Sequence, residues 1–197
     1  MPSSATQYWR NFQLSALDQL DEAHSALEGS GPGRRFRTAQ LNGAYIVLLA
    51  SQFQMFCRNL HSEAASAMAS AIPNLQLRDA VIAAMTQGRA LDRGNADPGN
   101  IGRDFARLKM AFWVQVDSLD IRNPARRARL GQLNIWRNGF AHQDFDFSTA
   151  SLNTISGTRP TLPFVRVWRR ACDNLVDQFD RAVAGHVATL TGVRPWV

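Results

Sequence analysis

Within Trp136-Arg137-Asn138-Gly139-Phe140-Ala141-His142 a fixed cation, an amide and an imidazole fall inside two helical turns. An imidazole moves protons near neutral pH. A guanidinium is always charged, and its fork matches the oxygens of a phosphate. These groups suit cleavage of a phosphodiester by its own neighbouring 2′-hydroxyl, which needs a base for the hydroxyl, an acid for the leaving oxygen and a cation for the growing charge. Arg with His five places on is weak by itself: 21 Arg and 4 His in 197 residues give about 0.4 such pairs by chance. Arg181 and His186 repeat that spacing inside a plain amphipathic stretch. Requiring Asn directly after the Arg lowers the expectation to about 0.02, and Arg137-Asn138 with His142 is what survives.

The spacing predicts that these residues ride on a helix over 124–142, entered through Asn123-Pro124, where Asn can cap and Pro can open the first turn. At about 100° per residue, Leu130, Leu133, Trp136 and Phe140 form its core stripe. Arg137 lies about 40° from the centre of that stripe, where a charge must be paired or open onto a polar cleft. Asn138 and His142 share another face with Arg127, Gly131 and Asn134, making Arg127 and Asn134 the expected contacts to a nucleic-acid ligand. Arg137 and His142 are about 140° apart, too far to meet on one ideal helix. Either the helix distorts near Gly139 or a second copy of the chain completes the site. A plainer reading stays open: His142 sits at a helix C-terminus, which favours a cation, and Arg137 snorkels past Leu133 to water.

The stretch resembles the hallmark Arg-Asn-x-x-x-His of the HEPN superfamily, small all-helical proteins that include many metal-independent RNases. The similarity extends over roughly 35–190. An apolar helix with Tyr45-Ile46-Val47-Leu48-Leu49 and Phe53-x-x-Phe56 lies upstream, and a loop and long final helix follow, as in RiboL-PSP-type HEPN domains. The resemblance implies a homodimer that brings two motifs to one cleft and cleaves RNA without metal or cofactor, leaving a 2′,3′-cyclic phosphate. In that reading His142 is general base or acid, Arg137 binds the scissile phosphate and Asn138 orients either. It also implies a setting in bacterial defence or a toxin–antitoxin pair, with an antitoxin or defence-system partner. Many such domains carry Glu in the upstream helix where this chain has Gln54. The competing expectation is a HEPN-like module that binds RNA or dimerises without cleaving. A helical DNA-binding regulator is a weaker third, since no recognition helix stands out.

The remaining elements read as helices over 5–28, 34–72, 75–92, 101–119 and 161–190. Gly29-Ser30-Gly31-Pro32-Gly33 stops the first and Pro73 the second, which carries a possible break at 59–62. Residues 143–160 read as a polar loop beside the motif, in which Phe145 and Phe147 either stack on bases or pack on the bundle. His24 and His61 are expected to be exposed. The expected fold is all-α: one antiparallel, HEPN-like bundle of about five or six helices spanning 1–197, with helix 5–28 packed on as an extension.

Composition agrees with a single core, at 45% apolar. Cys57 and Cys172 have no ligand-like spacing, so no metal site is expected. With neither a leader-like start nor a spanning apolar run, no membrane is implied and a cytoplasmic location is expected. The net charge of +6 is unevenly placed. Residues 1–98 carry 8 basic and 8 acidic side chains, and 99–197 carry 14 and 8, so the excess lies in the half with the motif. Such a field favours a phosphate-rich partner, although solvated helix faces would give the same count.

Overall fold

The computed structural model describes residues 1–27 and 35–196, so the Gly29–Gly33 stop and the helix start at Arg34 lie outside the described residues. Among them every regular element is helical. In order these are α1 (Ser4–Tyr8), a π-helical turn (Trp9–Gln13), α2 (Leu14–Leu27), α3 (Arg35–Ala69), α4 (Leu75–Thr86), α5 (Ala90–Arg93), α6 (Pro98–Ala106), α7 (Phe112–Leu119), α8 (Asn123–His142), α9 (Thr149–Ile155) and α10 (Leu162–Thr191).

The frame is made by α3, α8 and α10, each packed on the other two. α3 is 35 residues long and runs unbroken through 59–62. Its Tyr45, Ile46, Leu49, Phe53, Phe56 and Leu60 are buried. α10 answers with Val165, Trp168, Cys172, Leu175, Val176, Phe179 and Val183, spaced at three and four residues on one face. Phe53 and Phe56 meet Trp9 on one side and Phe179 on the other, which brings the N-terminal segment into the same core. Polar ties fix that segment. Glu63 accepts from the Ser4 and Ala5 amides at the start of α1, and Asp180 accepts from Ser3 N and Thr6 Oγ1. Burial pushes the Glu63 carboxyl up, against those amides.

The structure divides three expected elements. The 75–92 helix ends at Thr86, the chain turns through Gly88 at φ +69°, and α5 follows. The 101–119 helix is α6 and α7, separated at Lys109 with φ +58°. Phe105, Leu108, Phe112 and Val116 are all buried, because an apolar face can continue across a kink. Within 143–160, the Ser148 hydroxyl accepts from Ser151 N and opens α9, a helix too short to show a period.

α8 starts where expected, by other means. Asn123 does not cap; its amide donates to Val116 O at 2.6 Å and its Oδ1 accepts from Arg126. Asp120 ties the turn by accepting from Arg122 and Arg126, and the Arg122 guanidinium holds its carboxyl well below the usual range. His24 and His61 are both buried, against expectation. Among the described residues no helix is long and apolar enough to cross a membrane.

Candidate active site

Gly139 does not distort α8, which stays helical to His142 and ends where Gln143 turns left-handed at φ 54°. The Gln143 and Asp144 amides both reach back to Gly139 O, a C-terminal closure that satisfies a carbonyl the helix would otherwise leave open. The lack of a side chain at Gly139 makes room for the loop that follows. A Cβ there would lie 3.0 Å from Phe145 Cδ1 and from Phe147 Cζ. Without one, both rings fold back onto the helix, Phe147 edge-on to Trp136 at 5.3 Å and Phe145 edge-on to Phe140 at 5.2 Å. Trp136 Nε1 donates to Thr158 Oγ1 and fastens the far end of the same loop. The aromatic pair therefore shapes the wall beside the motif, although Phe145 stays 47% exposed.

The fold-back creates a cleft of about 240 Å³ lined by Asn138, His142, Asp144, Asp146, Ser148 and their neighbours. His142 is exposed at its edge and makes no hydrogen bond or ion pair among the described residues. The two carboxylates oppose a phosphate, so a phosphate there needs cations from elsewhere.

Arg137 does not line this cleft. It is half-exposed and donates from Nη1 to Asn138 Oδ1 at 3.2 Å. The same oxygen accepts from Asn95 Nδ2, in the loop before α6. Asn138 thus stands between the two chemical groups. Its Oδ1 is engaged on the Arg137 side, and its side chain lines the cleft that holds His142.

Asn95 is positioned in turn by Gln54. The Gln54 amide donates to Leu91 O at 2.7 Å and Gly94 O at 2.8 Å, clamping the α5 turn onto α3. A carboxylate at 54 would face two carbonyl oxygens with no proton to offer them. The chain of contacts from Gln54 through the 91–95 turn to Asn138 was missed from sequence, where 94–100 is legible only as turn-rich.

The two expected ligand contacts differ in their surroundings. Asn134 is buried and donates to Ala96 O and Leu130 O, locking α8 onto the loop, so it is closed to a ligand. Arg127 pairs through Nη1 with Asp117 at 3.1 Å and lies over the Trp113 ring at 5.1 Å, which joins α8 to α7 and leaves the side chain 36% exposed. Arg137, Asn138 and His142 are likewise open to solvent. Among the described residues no three His, Cys, Asp or Glu side chains gather as a metal site.

Comparison with known proteins adds nothing to this geometry. No family model, curated protein or solved structure matches the chain.

Proposed function

We propose that the chain is a HEPN-like, metal-independent endoribonuclease that cleaves RNA by attack of the substrate's 2′-hydroxyl, leaving a 2′,3′-cyclic phosphate. The observation that carries this reading is the split arrangement around Asn138. A partner-free imidazole stands at a cleft on one side and a guanidinium on the other, with the Asn138 side chain bonded to the guanidinium and lining the cleft. His142 transfers the proton, Arg137 meets the phosphate charge, and Asn138 holds Arg137 in place. Since one helix keeps Arg137 and His142 about 140° apart, the working site takes these groups from two copies of the chain.

The test is incubation of purified protein with a mixed RNA pool in EDTA, reading fragments and their ends. His142→Ala is expected to lower cleavage by about 10²–10⁴-fold, the usual worth of a general acid or base, and Arg137→Ala by about 10²–10³-fold, as for a lost charge-stabilising donor. Both variants should stay folded, because neither side chain is buried. Undiminished cleavage in either would remove the assigned role.

Gln54 favours a second reading, an RNA-binding or dimerisation module without catalysis. The position where many HEPN domains carry Glu is committed here to two backbone carbonyls. Tight RNA binding by a folded dimer that leaves RNA intact would establish that alternative. A defence or toxin–antitoxin setting in the cytoplasm, with an antitoxin as partner, belongs to the proposal through the family resemblance.

A further inference from the structure

A second cleft, of about 380 Å³, lies against the same loop that carries Asn95, and the α8 motif contributes nothing to it. Four arginines line it, Arg89, Arg93, Arg103 and Arg107, with one carboxylate, Asp104. That carboxylate is already used: its two oxygens accept from the Ala90 and Leu91 amides, both at 2.8 Å.

The cations differ in what they have left. Arg89 is nearly buried and pairs with Asp92 while donating to Arg58 O and Ser62 Oγ. Arg107 closes the end of α4 by donating to the carbonyls of Ala84, Met85 and Gln87, so its donors are engaged and its charge is not neutralised. Arg93 and Arg103 are exposed and make no ion pair or hydrogen bond among the described residues. Arg93 Nη2 lies 3.9 Å from where a Cβ on Gly88 would sit, so the guanidinium is folded over the turn at the cleft rather than extended into solvent. The cavity therefore presents three unneutralised guanidiniums, two with their donor forks free. Like charges gathered this way repel, and an anion with several oxygens relieves that while filling both forks.

We propose that this arginine cleft is a phosphate-binding site that holds a backbone phosphodiester of the RNA strand engaged at α8. The proposal rests on the RNA reading of that helix. Continuity supports a strand over a separate small molecule: Gly94 and Asn100 wall the cleft, and Asn95 between them bonds to Asn138. Asn100 Nδ2 donates to Asn95 O and Asp97 Oδ2, so the bridge between the two sites is braced. A strand crossing this loop meets cations on one side and the motif on the other, which offsets the two carboxylates of the His142 cleft.

The probe is a labelled single-stranded RNA with 2′-O-methyl groups throughout, which cannot be cut by its own hydroxyls. Its affinity is measured by fluorescence anisotropy over a range of salt for the full chain, for Arg93→Gln/Arg103→Gln and for Arg93→Lys/Arg103→Lys. The double variant is expected to bind about tenfold more weakly, with the slope of log affinity against log salt smaller by about 1.4, two contacts at about 0.7 each for a single strand. Arg93→Lys/Arg103→Lys should restore the slope, which a folding defect would not allow.

Unchanged affinity and slope in the Gln double variant would overturn the site. Inorganic phosphate, titrated in parallel, separates the sources: phosphate binding lost in that variant with RNA binding intact would make it a free-phosphate pocket and overturn the strand assignment. The nuclease reading fails separately. A wild type that binds through these arginines but never cuts ordinary RNA would lose the activity and keep the site.

Discussion

At the scale of single residues, burial decides which titratable groups can work. His142, exposed at a cleft, is available for proton transfer, and His61, fully buried on α3, is not. Arg89 Nη1 lies 3.3 Å from His61 Nδ1 and can only donate, so Nδ1 is the bare acceptor and Nε2–H donates to Asp104 O at 3.0 Å. Burial first, and then the Arg89 charge, lower its pKa to about 4. In the unfolded chain it titrates near about 6.5. Between these values the unfolded chain binds a proton that the folded one refuses, so stability falls as pH drops. From about pH 7 to about pH 5 this amounts to about 2 kcal/mol. His61→Gln supplies an acceptor and a donor without titrating. Urea unfolding at both pH values should show the wild type losing that much relative to the variant, and an equal gap at both would disprove the linkage. None of this was legible locally, because the partners of His61 lie 28 and 43 residues away.

At the scale of elements, α8 is held against α3 by a missing side chain. An ideal Cβ on Gly43 would sit 2.5 Å from Phe140 Cδ1, so the ring occupies that space. Gly43→Ala overpacks the crossing and is expected to cost about 1–3 kcal/mol. Phe140→Leu in the same chain should return part of that, giving a coupling in a double-mutant cycle of denaturation midpoints. Simple additivity would mean the crossing can relax and does not set the position of the motif. The long elements were legible, because α8 and α10 keep apolar residues at three- and four-residue spacing over many turns. The α6–α7 kink was not, since its buried face passes through Lys109 without a change in pattern. The partners of Arg127 were not legible for a related reason: periodicity sets its face, while Asp117 and Trp113 lie on another helix.

For the whole molecule, the three candidate site residues were readable from type and spacing, and the expected α8 register holds. What brings them into relation was not readable, because Gln54, the 91–95 turn and Asn138 are joined only by folding. On the proposed nuclease reading, the same regular helix makes one chain a poor catalyst by itself. Arg137 and His142 face different directions, and no bend at Gly139 closes the angle. Two copies related by a two-fold axis would form two equivalent clefts, each taking Arg137 from one chain and His142 from the other. Mixing Arg137→Ala with His142→Ala protein then restores activity from two dead parents. In each mixed dimer one cleft receives both substitutions and the other receives neither. Random exchange makes about half the dimers mixed, so roughly a quarter of wild-type cleavage should return. Refolding the two variants together and assaying in EDTA measures it directly. If each chain used its own Arg137 and His142, every cleft in the mixture would carry one defect and nothing would return, which would place catalysis within a single protomer and remove the composite site.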